Sequence, residues 1–367
     1  MKKLGLGLMR LPRTDLEDNT SIDHQALCQM ADRFLERGFT HFDTAWFYHG
    51  GKSEEAFREA VVKRHPRDSF TVTDKMPFMD LKEEAQLEEI FSQQLERCGV
   101  DYFDYYWLHA LDAGRYELAK EIRAFDFLER KKAEGKIRHT GFSFHDSAQA
   151  LDQILAEQPQ LEYVQLQINY LDWETENVQS RLCYETARKH NVRVMVMEPV
   201  KGGALAQVPP KAEEMLRQLD PSRSAASWGI RFAASLEGVD MVLSGMSDMA
   251  QLEDNMDTFS PLQPLADREM EALLQVAQVI HKEIAIPCTA CRYCTESCPQ
   301  NIPIPDYFLL YNDKKTGKRV PGDRFQQLSQ GHGKPSDCVA CGQCEAKCPQ
   351  HLPIIEHLKT AAKLLEK

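Results

Sequence analysis

Apolar positions along this chain fall into two alternating kinds of segment. Short runs are dense in β-branched, aromatic and aliphatic residues. They predict strands at 4–9, 39–43, 70–75, 102–108, 137–143, 163–169, 192–197 and 240–245. Longer stretches with apolar residues three and four apart predict helices at 22–37, 53–64, 83–98, 121–134, 147–157, 176–190, 222–236 and 249–257. Strands that alternate with helices imply βαβ units and a parallel sheet, hence an α/β fold. Eight such units over roughly 250 residues fit a closed (β/α)8 TIM barrel better than an open doubly wound sheet. The open sheet would want G-x-G-x-x-G after its first strand. Gly5-Leu6-Gly7-Leu8-Met9-Arg10 lacks the third glycine.

The barrel pattern fades near residue 260. A helix predicted at 267–283 leads into a segment of different character. There Cys288, Cys291, Cys294 and Cys298 precede Pro299, and Cys338, Cys341, Cys344 and Cys348 precede Pro349. Both runs read C-x2-C-x2-C-x3-C-P, the spacing that holds [4Fe–4S] clusters. Three thiolates on one tight loop cap three corners of a cubane, and the fourth, displaced by a proline turn, reaches the other cluster. Cys288, Cys291 and Cys294 are therefore expected to pair with Cys348, and Cys338, Cys341 and Cys344 with Cys298. A disulfide framework or two zinc sites fit this repeated spacing less well. Between the runs, 306–311 looks helical, 312–318 turn-like and 331–335 flexible. The expected division is a barrel over 1–280 and a small helical, ferredoxin-like module over 281–367.

Composition narrows the function classes. The 367 residues are 43% hydrophobic with a formal net charge of −12. That acidity argues against nucleic acid or an anionic membrane as partner. No apolar run approaches the ~18 residues of a membrane span. The first eight residues read as a strand rather than a signal peptide. With thiolate ligands this suggests the reducing cytoplasm. The other three cysteines, Cys28, Cys98 and Cys183, read as filler.

In a barrel, chemistry sits where the strands end. The second predicted strand ends at Asp43, with Tyr48 in the following loop; the third ends at Lys75 and the fourth at His109. A tyrosine with pKa near ~10 is a poor acid at neutral pH. An adjacent ammonium favours its phenolate, a buried carboxylate holds that ammonium, and an imidazole orients a carbonyl. Taken singly, His109 reads as a core histidine, Tyr48 as a loop aromatic, Lys75 as a solvated charge and Asp43 as a helix cap. Their order at consecutive strand exits is the signal. Trp46, Phe78, Phe144 and Trp173 are candidate pocket walls.

Over residues 1–258 the chain resembles the aldo-keto reductases. Asp43-Thr44-Ala45, Tyr48, Gly50, Gly51, Ser53 and Glu54 resemble the family's signature around its catalytic tyrosine, and Lys75 and His109 match the other tetrad positions. The resemblance implies hydride transfer between a nicotinamide cofactor, NADP or NAD, and an aldehyde or ketone, with Tyr48 as the acid. It implies that Ser143 and Gln165 contact the nicotinamide carboxamide, and that Gly245, Ser247, Gln251 and Asn255 grip the adenosine phosphate end. Gly202 and Gly203 let a pyrophosphate approach without a side-chain clash.

The chain also departs from the family. Phe144 stands where asparagine is common, Met197 or Glu198 where an aromatic stacks on the nicotinamide, and Asp248 where a basic residue meets the 2′-phosphate. An aspartate there repels that phosphate, leaving NADH open. The alternative to a carbonyl reductase is an electron-transfer protein whose barrel holds a flavin or docks a redox protein and feeds the clusters. A non-catalytic interaction protein would not need Lys75 beside Tyr48.

Overall fold

The computed structural model describes residues 2–16, 18–78, 81–295, 297–315 and 322–366. Eight parallel strands close into one barrel in chain order: β1 (Leu4–Gly7), β2 (His41–Asp43), β3 (Thr71–Met76), β4 (Phe103–Leu111), β5 (Ile137–Phe144), β6 (Tyr163–Gln167), β7 (Arg193–Met197) and β8 (Val239–Gly245). β8 closes on β1 in a register running from Leu4 opposite Val242 to Gly7 opposite Gly245. Helices cover the outside, several started by a side-chain cap. Asp23, Ser147, Ser224 and Asp248 each accept a hydrogen bond from the backbone N–H three residues on.

All eight strands and all the anticipated helices form, with instructive differences. In the barrel the helices Ala113–Glu121 and Pro210–Leu219 escape the pattern, and in the C-terminal segment so do Arg324–Ser329, Gln343–Ala346 and Ile354–Leu365. The first is polar nearly all round. The second starts at a Pro-Pro pair that reads as a turn, although proline suits the first helical turn. β1 stops at Gly7 and passes into a helical turn, Leu8–Arg10. β4 runs beyond His109, and its register against β5 shifts between Leu108 and Leu111. Helix Ile304–Lys315 continues into the tract expected to be a turn, while 316–318 lie outside the described residues. Asn312 holds that helix in place by bonding both the N–H and the C=O of Ile286, at 3.0 and 2.8 Å.

Inside the barrel, Tyr105, Trp107, Tyr163, Met195, Met241 and Leu243 form one buried layer. Gly141 on β5 makes room for it. A Cβ there would lie 2.4 Å from the Tyr163 carbonyl oxygen and 2.7 Å from the Trp107 ring. Apolar residues of the C-terminal segment, from Ile286 to Leu365, gather into a second cluster separate from the barrel core. Among the described residues no helix is long and apolar enough to cross a membrane.

Two predictions follow from this packing. Gly141→Ala should lower the stability read from the urea midpoint by about 2 kcal/mol or more, because a backbone carbonyl cannot yield as a side chain does. His41 is fully buried between the hydroxyls of Thr71 and Thr73, at 2.9 and 3.2 Å, and burial lowers its pKa to about 3. The unfolded chain takes up this proton near pH ~6.5, whereas the folded chain refuses it until about 3. Its contribution is therefore complete above pH ~6.5 and is lost as the pH falls, by up to about 1.4 kcal/mol per pH unit. Urea titrations at stepped pH on wild type and His41→Asn should show the variant's slope flattened by that amount.

Candidate active site

β2 and β3 lie side by side, so Asp43 at the end of β2 faces Lys75 on β3. The Lys75 Nζ donates to Asp43 Oδ1 at 2.6 Å, to the Thr44 carbonyl at 2.7 Å and to the Tyr48 hydroxyl at 3.4 Å. These are the three hydrogen bonds an ammonium can make. Lys75 is 1% exposed and Asp43 3%. Burial pushes the Asp43 carboxyl above its usual range, and Lys75 pulls it back. Beneath them Asp74 and Glu54 meet side chain to side chain, both raised chiefly by burial. Glu54 also faces Arg97 at 2.8 Å, and Arg97 donates to the Gly51 carbonyl, which ties down the Gly-rich turn after Tyr48.

His109 sits where β4 slips register, a bulge that re-aims a side chain. Its ring stands edge-on to Tyr48, centroids 6.1 Å apart. Burial, then the cations Lys75 and Arg115 and the ring of His145, hold its pKa well below the usual value, so the imidazole is neutral. Tyr48 differs from the expectation. Burial raises its phenol well above 10, and Asp43, Glu198 and Asp74 add to the rise. Lys75 does not outweigh them. A hydrogen bond from Tyr293 works in the opposite direction.

All twelve barrel residues singled out from the sequence line one cavity of about 320 Å³: Asp43, Tyr48, Lys75 and His109, with Ser143, Gln165, Gly202, Gly203, Gly245, Ser247, Gln251 and Asn255. Among the described residues Gln165 Oε1 and Asn255 Oδ1 are buried in it without a partner, as is Glu198 Oε2. Such orphaned polar atoms fit a ligand rich in donors, as a nucleotide is. Ser143 Oγ accepts from the Ala110 N–H at 2.7 Å. Gln251 is engaged locally, bonding Ser247 N at 2.9 Å and the Asp248 carboxylate at 2.9 Å. Asp248 caps its helix, so a carboxylate already stands at the helix start where a phosphate would be welcome.

Gly202 also meets protein backbone. A Cβ there would lie 2.2 Å from the Thr289 carbonyl, so the bare backbone accepts the C-terminal segment. Gly203 has open space beside it. Of the anticipated walls, Phe78 lines a second cavity with Phe47, and Phe144 lines a small neighbouring one. Trp46 instead stacks under Arg97, and Trp173 packs on Phe232.

The two cysteine runs repeat each other in backbone as well as sequence. Left-handed conformations recur fifty residues apart, at Ala290 and Ala340, Arg292 and Gly342, and Asn301 and His351. Cys298, Cys338, Cys341 and Cys344 line one small apolar cavity. Cys348 acts electrostatically on Cys288, Cys291 and Cys294. Burial pushes the Cys288 thiol up to about 11 and Cys291 to about 12, and backbone N–H groups point at both sulfurs. Such thiols need a neighbouring cation to ionise, and iron would provide it. Among the described residues no three His, Cys, Asp or Glu side chains converge as they do around a single ion. A cubane holds its ligands farther apart than that.

The C-terminal segment docks on the open end of the barrel. Arg10 Nη2 donates to the Thr289 carbonyl at 2.7 Å. Gln350, buried beside Cys348, exchanges hydrogen bonds with Gln167 at 2.7 and 3.0 Å and accepts from Lys201 at 3.0 Å. Lys201 is in turn paired with buried Asp172 at 2.5 Å. Tyr293, between Cys291 and Cys294, lines the main cavity and both of its neighbours. Tyr293, Arg10, Gln350 and the Lys201–Asp172 pair were missed in the sequence. The one available hint was an Arg-Tyr spacer inside a cysteine run.

Residues 3–278 match the aldo/keto reductase family and residues 287–352 the 4Fe-4S dicluster domain. The chain is similar to YqkF, an uncharacterized oxidoreductase of Bacillus subtilis: 23% identity over 304 residues, 74% of this chain and 92% of that protein. It is 27% identical over 210 residues, 51% of this chain and 60% of the other, to the NADH-specific methylglyoxal reductase of Escherichia coli. Its fold is similar to that of aldo-keto reductase AKR11C1 from Bacillus halodurans in its holo form, with TM-score 0.60 and 23% identity over 75% of this chain and 91% of that one. An aldo-keto reductase from Klebsiella pneumoniae in complex with NADPH is alike at TM-score 0.58, 20% identity, and 76% and 90% coverage. The chain thus belongs to the aldo/keto reductase family of NAD(P)-dependent oxidoreductases and carries a C-terminal 4Fe-4S dicluster domain.

Proposed function

We propose that the protein transfers a hydride between a nicotinamide nucleotide and an aldehyde or ketone, with Tyr48 as general acid. The barrel, 1–280, performs the reaction, and the module, 281–367, closes over it. The observation that carries this reading is the hydrogen bond from Lys75 to Tyr48 inside a cavity bordered by the unpartnered Gln165 and Asn255. A bound nicotinamide would supply the hydride, held by Ser143 and Gln165 at one end and by Gly245, Ser247 and Asn255 at the other. Tyr48 gives its proton to the carbonyl oxygen. Lys75 stabilises the phenolate left behind, Asp43 keeps Lys75 charged and in position, and neutral His109 donates a hydrogen bond that orients the carbonyl. Asp248 at the helix start disfavours a 2′-phosphate, and the Escherichia coli relative named as NADH-specific agrees with NADH as the donor. The thiolate ligands suit a reducing compartment such as the cytoplasm.

A second reading is favoured by one observation: Cys291 lines the same cavity as Tyr48. In it the barrel passes electrons between a nucleotide, or a flavin, and the clusters, and on to a redox protein. Adding NADH anaerobically without substrate separates the two, since bleaching of the iron–sulfur absorption belongs to the second reading alone.

Tyr48→Phe should lower kcat by about 10²-fold or more, with nucleotide affinity kept within a few-fold. Wild-type turnover in that variant would sink the tyrosine-acid mechanism. Cys288→Ala and Cys348→Ala should each remove roughly half the iron and the same spectroscopic signal, whereas Cys298→Ala removes the other signal. Unchanged iron in Cys288→Ala would refute the ligand assignment, and different signals lost in Cys288→Ala and Cys348→Ala would refute the crossed pairing.

A further inference from the structure

A cleft of about 110 Å³ shares Tyr48 and Tyr293 with the main cavity. Its cationic lining comes from three separate segments: Arg10 and Arg13 after β1, Arg292 from the first cysteine run and Lys347 from the second. Among the described residues no carboxylate lines it, in a chain of net charge −12. Arg10 and Lys347 make no ion pair among the described residues, and like charges around so small a volume repel unless an anion joins them. Some compensation exists nearby. Arg292 pairs with Asp306 at 2.8 and 2.9 Å, and Arg13 donates to the Leu16 carbonyl at 2.9 Å. Arg10 donates to the Thr289 carbonyl and acts through space on Glu198. His49, in the same lining, is not a further cation: it accepts from Leu11 N at 3.1 Å, bonds the Asn19 carbonyl at 2.7 Å, and is held neutral by burial.

We propose that this cleft binds the anionic group, a carboxylate or a phosphate, of the carbonyl substrate. The site's substrates are therefore compact oxo acids or phosphorylated aldehydes and ketones. The inference rests on the carbonyl-reductase reading and deepens it. Tyr48 lines both cavities, so a small molecule with its carbonyl oxygen at Tyr48 reaches the cleft with its other end. The volume is roughly three to four waters, which suits one carboxylate or phosphate group. Arginine and lysine provide the charge-assisted donors such a group needs. Two of the four cations belong to the cysteine runs, so the site is complete only with the module docked.

The test compares matched pairs with NADH on the iron-loaded protein: 4-oxobutanoate against butanal, and glyceraldehyde 3-phosphate against glyceraldehyde. At least one anionic member should exceed its neutral partner in kcat/KM by about tenfold or more, the effect of one or two charge-assisted hydrogen bonds. Which pair responds tells carboxylate from phosphate. That preference should shrink as ionic strength rises. Lys347→Met and Arg10→Met, checked for unchanged iron content, should each reduce it several-fold. Equal turnover of both members of both pairs overturns the proposal. So does a variant effect that falls on nucleotide affinity alone, which would give the cations to the cofactor's phosphates. If no aldehyde is turned over, calorimetric titration with succinate and inorganic phosphate decides. Binding that Lys347→Met weakens about tenfold keeps the anion site and fails the reductase reading. No binding of either anion overturns the site.

Discussion

The buried ammonium of Lys75 is the constraint around which this end of the barrel is arranged. A lysine at 1% exposure is tolerable only when its charge is paired and its donors are filled. Asp43 provides the charge, and Thr44 and Tyr48 complete the set. Each of the three lies on β2 or in the loop after it, so their positions follow from the pairing of β2 with β3. The turn that returns Tyr48 to Lys75 is held from behind by Arg97, which also faces buried Glu54. Disturbing the lysine would therefore reach the tyrosine, the turn and the carboxylates beneath it together. This coupling suits a proton donor, whose acidity depends on where one cation stands.

The second organising fact is that the C-terminal module forms part of the cavity wall. Gly202 lets the backbone around Thr289 approach closely, and Gln350 inserts a buried amide between Gln167 and Lys201. Buried polar groups of this kind define one seating, because a shifted seating would leave Lys201 and Asp172 with unmet partners. The Tyr293 phenol is delivered to Tyr48 by the same seating. On the proposed reading, substrate selection thus depends on a segment remote in sequence from the residues that transfer the proton. It also explains why Cys291 borders the main cavity: Tyr293 cannot reach Tyr48 without bringing its cysteine neighbours close.

The fold was largely legible in the sequence because each βαβ unit announces itself locally, through period-2 and 3.6-residue patterns that do not depend on the rest of the chain. That Asp43, Tyr48, Lys75 and His109 would come together was legible because strand order places strand ends together. The register shift at His109 was not, since a bulge leaves no hydrophobic signature. The helix at Pro210–Leu219 was hidden behind prolines that read as a turn. The backbone contact at Gly202 was hidden for another reason: a glycine admits any close approach, and only the docked module reveals a carbonyl there. Tyr48 is less acidic than expected because burial, and then the carboxylates Asp43, Glu198 and Asp74, act against the phenolate. Residue type alone could not reveal that Glu198 points into the same cavity.

Glu198 brings these threads together. It stands, with Met197, in the region where the family resemblance implies an aromatic platform; it is half-buried, and among the described residues its buried Oε2 has no hydrogen-bond partner. Its charge acts on both Tyr48 and Tyr293, and Arg10 and Lys201 pull its raised pKa back. A carboxylate at such a place brings a charge that must be answered. Lys201, anchored to Asp172 and to Gln350 of the module, answers it from one side; Arg10, bound to the module's Thr289 carbonyl, answers it from the other. The groups that make Glu198 tolerable are therefore the groups that dock the module. Without the module, the contacts that seat Arg10 and Lys201 around this carboxylate would be missing, so Glu198 and the docked C-terminal segment form one physical unit.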